Sequence, residues 1–182
     1  MNVNLNTGKT KTLGGLFSAI SAVGSAIISS KTKDKLENAL SGSKMASYVS
    51  SGIEKTLTQF YNIKNVGSLN NNPMFIVETE LTKIQIGSTK DGVGVLVNAK
   101  SRIMDKKTAT VIWEKKSSEI MPIHEATTYN DTKTNTRISS VVSAAQLADL
   151  SKEEIRTIVY NAATAIGKDI AETLREDISD AR

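Results

Sequence analysis

The clearest pattern in the chain is an alternation of apolar and polar residues between residues 75 and 103, which predicts two β-strands. In GVGVLVNAKSRI, every second residue from Val93 to Ile103 is apolar or small, so one face is buried and the other is wet. In FIVETELTKIQI, the apolar residues change parity between Leu81 and Ile84, which predicts a β-bulge near residues 82–83. The Asp-Gly pair between the two segments is typical of a hairpin turn.

A third strand is predicted after a polar turn at residues 104–110, in which Asp105 can accept backbone N–H bonds. Along TATVIWEKK, the residues Ala109, Val111 and Trp113 share one parity. The nearby charges belong to the turn and to the solvent face, while the single tryptophan aligns with the valines. We therefore predict that Trp113 is a core aromatic residue and not a ligand-stacking one.

Two segments around the strands have the periodicity of long helices. Apolar residues recur at nearly four-residue spacing from Met45 to Phe60, which predicts a helix that ends near Tyr61. Ser151 begins an S-x-x-E capping box, the start of a final helix that runs to about residue 178. Small residues in that helix, among them Gly167, are expected to let it lie close to the sheet.

These elements predict an α+β fold, an antiparallel sheet of three to four strands with helices packed on one face. Residues 16–28 carry a weaker helical stripe, diluted by Ser and Gly. We therefore divide the chain into an N-terminal helical or partly disordered appendage, residues 1–42, and an α+β domain, residues 43–182. A polar segment at 122–137 is predicted to be a long connection, of the length that is usually functional or mobile.

Composition excludes several kinds of chemistry. The chain has 182 residues and no Cys, which excludes thiolate zinc sites, cysteine nucleophiles and disulfides. Its net charge is +4, and residues 1–64 carry eight Lys against three acids. Such a basic region can favour nucleic acid or anionic lipid, but an ordinary solvated surface accounts for it as well.

Motifs for catalysis or ligand binding are missing from the sequence. His124 is the only histidine, so a His cluster cannot hold a metal, and no nucleophile elbow accompanies it. Glu78 and Glu80 lie on one strand face, where a solvated surface is the simpler interpretation than a carboxylate pair. We predict no catalytic, cofactor-binding or metal site, and therefore a protein that is not an enzyme and uses no cofactor.

One stretch, GVLVNAKSRIMDKKTATVIWEKKSSE (residues 94–119), resembles a hairpin found in bacterial envelope lipoprotein domains. These include the curli secretion lipoprotein, the penicillin-binding-protein activators, the amino-terminal domain of TolB and the ABC-transport auxiliary lipoproteins. Their turn has the pattern Asp-x-x-Thr-Gly with Val-x-Trp, matched here by Asp105, Thr108, Val111 and Trp113, while Ala109 stands where Gly is usual. The segment LSKEEIRTIVYNAATAIGKDIAETLREDI is similar to their closing helix.

The resemblance implies a non-enzymatic accessory or scaffold component of a cell-envelope assembly, in secretion, transport or outer-membrane machinery. Expected partners are other envelope proteins and further copies of the chain, with no nucleic acid. The expected location is periplasmic or at the outer membrane, with the cytoplasm left open, as is membrane association through a removed N-terminal anchor. The alternative function is a basic nucleic-acid-binding module.

Two regions are expected to carry the protein contacts. Phe17 and Ile20 belong to the amphipathic stripe of the N-terminal region. Tyr129 and Arg137 belong to the polar connection at 122–137, and binding residues often concentrate on such connections when a rigid sheet holds them.

Overall fold

The computed structural model describes residues 2–4, 9–10, 38, 45–89, 92–128 and 149–181. Within these ranges the longer elements are two helices and three strands, joined by shorter pieces. In chain order they are β1 (Asn2–Asn4), β2 (Lys9–Thr10), α1 (Met45–Phe60), β3 (Lys64–Asn65), β4 (Phe75–Thr89), β5 (Gly92–Asp105), β6 (Val111–Pro122), α2 (Ile123–Thr128) and α3 (Lys152–Asp180).

The sheet confirms the predicted α+β class. Strands β4, β5 and β6 are antiparallel neighbours, and the order across the sheet is β3-β1-β4-β5-β6, with β2 also beside β4. Strands β1 and β2 pair in parallel with β4, so residues 2–4 and 9–10 belong to the sheet. Both short strands lie within the predicted appendage, residues 1–42. The boundary near residue 42 lies outside the described residues and stays a prediction.

The faces of β4 and β5 follow the predicted alternation. The register of β4 against β5 shifts between Leu81 and Lys83, as the change of parity predicts. Leu81 and Ile84 are therefore both fully buried although an odd number of residues separates them. The bulge allows one strand to place two apolar runs of opposite parity on the same core face.

A second irregularity corrects the prediction for β6. The register shifts between Ile103 and Met104, so that Ile103 pairs with Trp113 and Met104 pairs with Val111. Val111 is therefore not on the face of Trp113 and is largely exposed, and Ala109 lies in the turn before the strand. The sequence does not reveal this bulge, because apolar residues occur at both odd and even positions at the start of β6.

The helices cover one face of the sheet and bury an aliphatic core between them. Helix α3 begins with the predicted capping box, in which the Ser151 side chain and the Glu154 backbone N–H are 3.1 Å apart. Gly167 does not face the sheet as expected. It faces Gly52 of α1, and a Cβ on either glycine would lie 2.1 Å from a backbone carbonyl oxygen of the other helix.

Part of the predicted connection at 122–137 is helical. Residues 123–128 form α2, with Ile123 and Ala126 fully buried, because these two apolar residues have the spacing of one helical face. Asn161 of α3 donates through Nδ2 to the carbonyl oxygen of Ala126 at 2.5 Å and holds α2 against the long helix. The predicted helical stripe at 16–28 lies outside the described residues.

Ala109 has a backbone conformation that favours glycine, with φ of 55°. It stands where the resembling hairpins have Gly, and the left-handed region costs a residue with a Cβ about 1–2 kcal/mol. Ala109→Gly is therefore expected to stabilise the protein by about 0.5–1 kcal/mol, once the greater entropy of Gly in the unfolded chain is counted. Urea unfolding followed by circular dichroism would measure the change.

Asn72 provides the control for that substitution. It also has positive φ, at 51°, but asparagine tolerates this conformation and its Oδ1 accepts from Lys106 Nζ at 3.2 Å. Asn72→Gly should therefore give no gain. Destabilisation by Ala109→Gly would mean that the turn does not hold a left-handed residue at this position.

Candidate functional site

An apolar groove opens at the end of the sheet where both long helices finish. Its volume is about 650 Å³. Buried Leu57, Ile63, Val77 and Leu174 form its floor, because each projects from the core face of its element near that end. The remaining lining residues are Tyr61, Asn62, Phe75, Ile103, Ile112, Trp113, Asp177, Ile178 and Ala181. The lining is thus largely apolar, and the space is open to solvent on one side.

Trp113 forms part of the wall of this groove. Its ring packs against the core, which confirms the predicted face, but it is only partly buried because β6 is the edge strand. Its Nε1–H donates to Oδ2 of Asp177 at 2.8 Å. This bond ties the last turns of α3 to the start of β6 and orients the indole along the groove.

The mouth of the groove has charges of both signs nearby, and its one described cation is Arg175, whose guanidinium lies 4.7 Å from the ring centroid of Phe60 at the end of α1. Helices α1 and α3 both end there, and the free carbonyl groups of a helix C-terminus carry partial negative charge. The last turn of α3 contains Asp177 and Asp180, and neither helix has a basic residue in its last turn. The groove therefore suits an apolar group, and the end of α3 offers hydrogen-bond acceptors to it.

The opposite face of the sheet, which none of the described helices covers, carries a ladder of paired charges. Arg102 donates through Nε (2.7 Å) and Nη2 to Oε2 of Glu78, and this bond raises the pKa of the guanidinium. Lys100 Nζ lies 2.7 Å from Oε2 of Glu114, whose pKa the hydrogen bond lowers. Glu78 is thus the partner of an arginine, and the carboxylate-pair interpretation of Glu78 with Glu80 gains no support.

The turn that carries the sequence resemblance is held by one carboxylate. Oδ1 of Asp105 accepts from the backbone N–H of Lys107 at 2.8 Å and of Thr108 at 2.9 Å. The bond from Thr108 does most to lower the pKa of Asp105. As predicted, this aspartate stabilises the turn, and its role there is structural.

Phe17, Ile20, Tyr129 and Arg137 lie outside the described residues, so their predicted roles stay predictions. His124 lies in α2, far along β6 from the groove, with Nε2 3.8 Å from Oε1 of Glu125.

Sequence reasoning did not find the groove itself. The sequence signals for it were the lone tryptophan, Trp113, and an apolar residue near the end of the last helix, Ile178. Among the described residues there is no group of three side chains suited to hold a metal ion. In the same ranges, no helix has both the length and the apolar character needed to cross a bilayer.

No family model and no curated protein matches the chain. Among solved structures, it is similar to protein XCC0632 from Xanthomonas campestris, of family model DUF330, with a TM-score of 0.43 and 9% identity. That likeness covers 75% of this chain and 64% of XCC0632, so the chain spans less than two thirds of that protein.

The chain is also similar to the PelC dodecamer from Paraburkholderia phytofirmans, in two crystal forms. Each has a TM-score of 0.37 and 10% identity, with 65% and 66% of this chain and 79% and 78% of PelC covered. These likenesses are findings about shape alone, and nothing about chemistry follows from them.

Proposed function

We propose that the protein is a non-enzymatic accessory or scaffold component of a bacterial cell-envelope assembly, and that the groove holds an apolar segment of a partner protein. The groove is the observation that carries this proposal. An open apolar space of this size on a rigid sheet is typical of sites that take an apolar anchor. The envelope setting is supported by the resemblance of residues 94–119 to envelope lipoprotein hairpins.

The electrostatics of the mouth specify the partner further. The C-terminus of α3 and Asp177 favour an anchor flanked by a basic residue, since a cation there would interact with the carbonyl ends and with the carboxylate. The end of α1 already has Arg175 beside Phe60. The alternative function, nucleic-acid binding, would need phosphates near basic groups. The groove does not favour it, because its lining is largely apolar, and Arg102 and Lys100 are already paired.

Trp113 makes binding in the groove directly measurable, because it is the only tryptophan in the chain. The uncharged probe N-phenyl-1-naphthylamine should bind the groove and accept fluorescence energy from Trp113. Ile178→Glu, in the last turn of α3, should reduce the affinity for the probe by about tenfold or more, since a carboxylate would replace apolar lining. Its melting temperature should change little, because Ile178 is only partly buried.

Ile120→Glu is the matched control, since Ile120 is also apolar but lies 57% exposed at the other end of β6. It should bind the probe as the wild-type chain does. Equal binding by both variants would mean that the probe, and by inference an apolar anchor, does not use the groove.

The partner is tested in cells with a photo-crosslinking residue at position 178 and, as control, at position 120. Under the proposal, position 178 forms adducts with membrane or periplasmic proteins, and mass spectrometry places the cross-link on an apolar segment beside Lys or Arg. Adducts with cytoplasmic proteins or with nucleic acid would overturn the proposed function.

A further inference from the structure

Strand β6 is an edge strand of the sheet formed by the described residues. It pairs with β5, and no strand within the described ranges pairs with its other edge. At twelve residues it is long for an exposed edge, and such an edge presents a row of backbone N–H and C=O groups that can pair with another chain. What covers it can be inferred from the side chains along the strand.

Two charged residues on the helix-covered face of β6, Lys115 and Glu119, make no ion pair within the described part of the chain. The carboxyl group of Glu119 is partly desolvated, although the residue as a whole is exposed, and this raises its pKa. Its charged neighbours, Asp169 and Glu125, are both acidic and raise the pKa further. Among the described residues, this site thus has negative charge and no cation to balance it.

We propose that two copies of the chain pair their β6 strands antiparallel about a two-fold axis at Ser117, so that each Lys115 faces Glu119 of the partner subunit. This interface goes beyond the proposed groove function and does not depend on what the groove binds. It is isologous: the same strand contributes both halves, and each charge pair occurs twice.

The register is specified by the charges. In an antiparallel pair of identical strands, the numbers of any two opposite residues add up to the same total. An even total pairs residues of the same parity, so the helix-covered face of one copy continues into that of the other. Centred on Ser117, the pairing sets Lys115 against glutamate and sets no like charges directly opposite. Centred on Lys116, it would oppose the two Lys116 residues. Centred on Ser118, it would place Lys115 against methionine and leave Glu119 without a cation.

The helices leave room for this pairing. Helix α3 contacts both β5 and β6, which fits an axis over the space between them. Strands are about 4.8 Å apart, which puts the two α3 axes about 10 Å apart across the two-fold axis. That separation lies within the usual range for packed helices, so the strands can pair without a clash of the helices above them.

Charge reversal tests the interface. The full-length chain is expected to be dimeric by sedimentation velocity, and Lys115→Glu or Glu119→Lys alone should weaken dimerisation by about tenfold or more, since each creates two like-charge pairs. The double variant Lys115→Glu with Glu119→Lys exchanges the charges and should restore dimerisation. Single variants that dimerise like the wild type, or a double variant no better than the singles, would overturn the proposal.

A cysteine on the two-fold axis gives a second, independent measurement. The chain contains no Cys, so Ser117→Cys introduces a single thiol that faces its own copy at a distance a disulfide can span. It should form a cross-linked dimer under mild oxidation, whereas Ser179→Cys, an exposed residue near the end of α3, should not. Equal cross-linking of the two variants would contradict the register.

The experiments distinguish failure of the strand interface from failure of the groove proposal. Lys115→Glu should lose the dimer and still bind N-phenyl-1-naphthylamine beside Trp113, while Ile178→Glu should lose the probe and keep the dimer. If Lys115→Glu stays dimeric while Ile178→Glu loses probe binding, the strand interface is wrong and the groove stands. The reverse result would leave the interface standing and remove the groove.

Discussion

Gly52→Ala is expected to destabilise the protein by about 3 kcal/mol or more, a large effect for a single methyl group. A Cβ on Gly52 would lie 2.1 Å from the carbonyl oxygen of Thr164, and a Cβ on Gly167 would lie 2.1 Å from that of Val49. Both obstacles are helix backbone, which cannot rotate away as a side chain can. Helices α1 and α3 must therefore separate, and separation loosens the core that they cover.

Gly167→Ala should cost a similar amount, since the contact is reciprocal. The double variant should cost less than the sum, because one separation of the helices relieves both clashes. Ser51→Ala, at the next position of α1 and only partly buried, should change stability by no more than about 0.5 kcal/mol. Urea unfolding measures all four variants, and a Gly52→Ala chain as stable as the wild type would contradict the close crossing.

The elements were predictable from the sequence because their signals are local. The alternation of β5 and the capping box at Ser151 each lie within one element, so no tertiary contact is needed to recognise them. The helix crossing is different. Gly52 and Gly167 are distant in the chain, and each alone predicts only a weaker helix. Their role in packing is evident only from the contact between the two helices.

The candidate site was harder to predict for the same reason. The groove is made where α1, β4, β5, β6 and α3 begin or end, and element ends are poorly defined by periodicity. Trp113 was assigned to the correct face, although Val111, which has the same parity, lies on the other face. The groove beside Trp113 depends on where α3 stops. The bond from Trp113 to Asp177 joins residues that no local pattern connects.

The bulge in β4 is a case where a local pattern predicted a tertiary feature, and it can be tested by core truncation. Ile84 is fully buried only because the register shifts by one residue after Leu81. Ile84→Ala is therefore expected to destabilise the protein by about 2–5 kcal/mol, through lost apolar burial and the cavity left behind. Without the bulge, Ile84 would lie on the uncovered face and its truncation would cost little.

Lys83→Ala is the control for this truncation. Lys83 pairs with Asn98 on the uncovered face, and Thr82, the extra residue of the bulge, donates through its hydroxyl to the carbonyl oxygen of Asn98 at 3.1 Å. Removing the Lys83 side chain should change stability by no more than about 0.5 kcal/mol. Unfolding in urea separates the outcomes: a loss at Ile84 well above that at Lys83 is expected. Equal small losses would mean that β4 runs without the bulge, with Ile84 and Ile86 turned away from the helices.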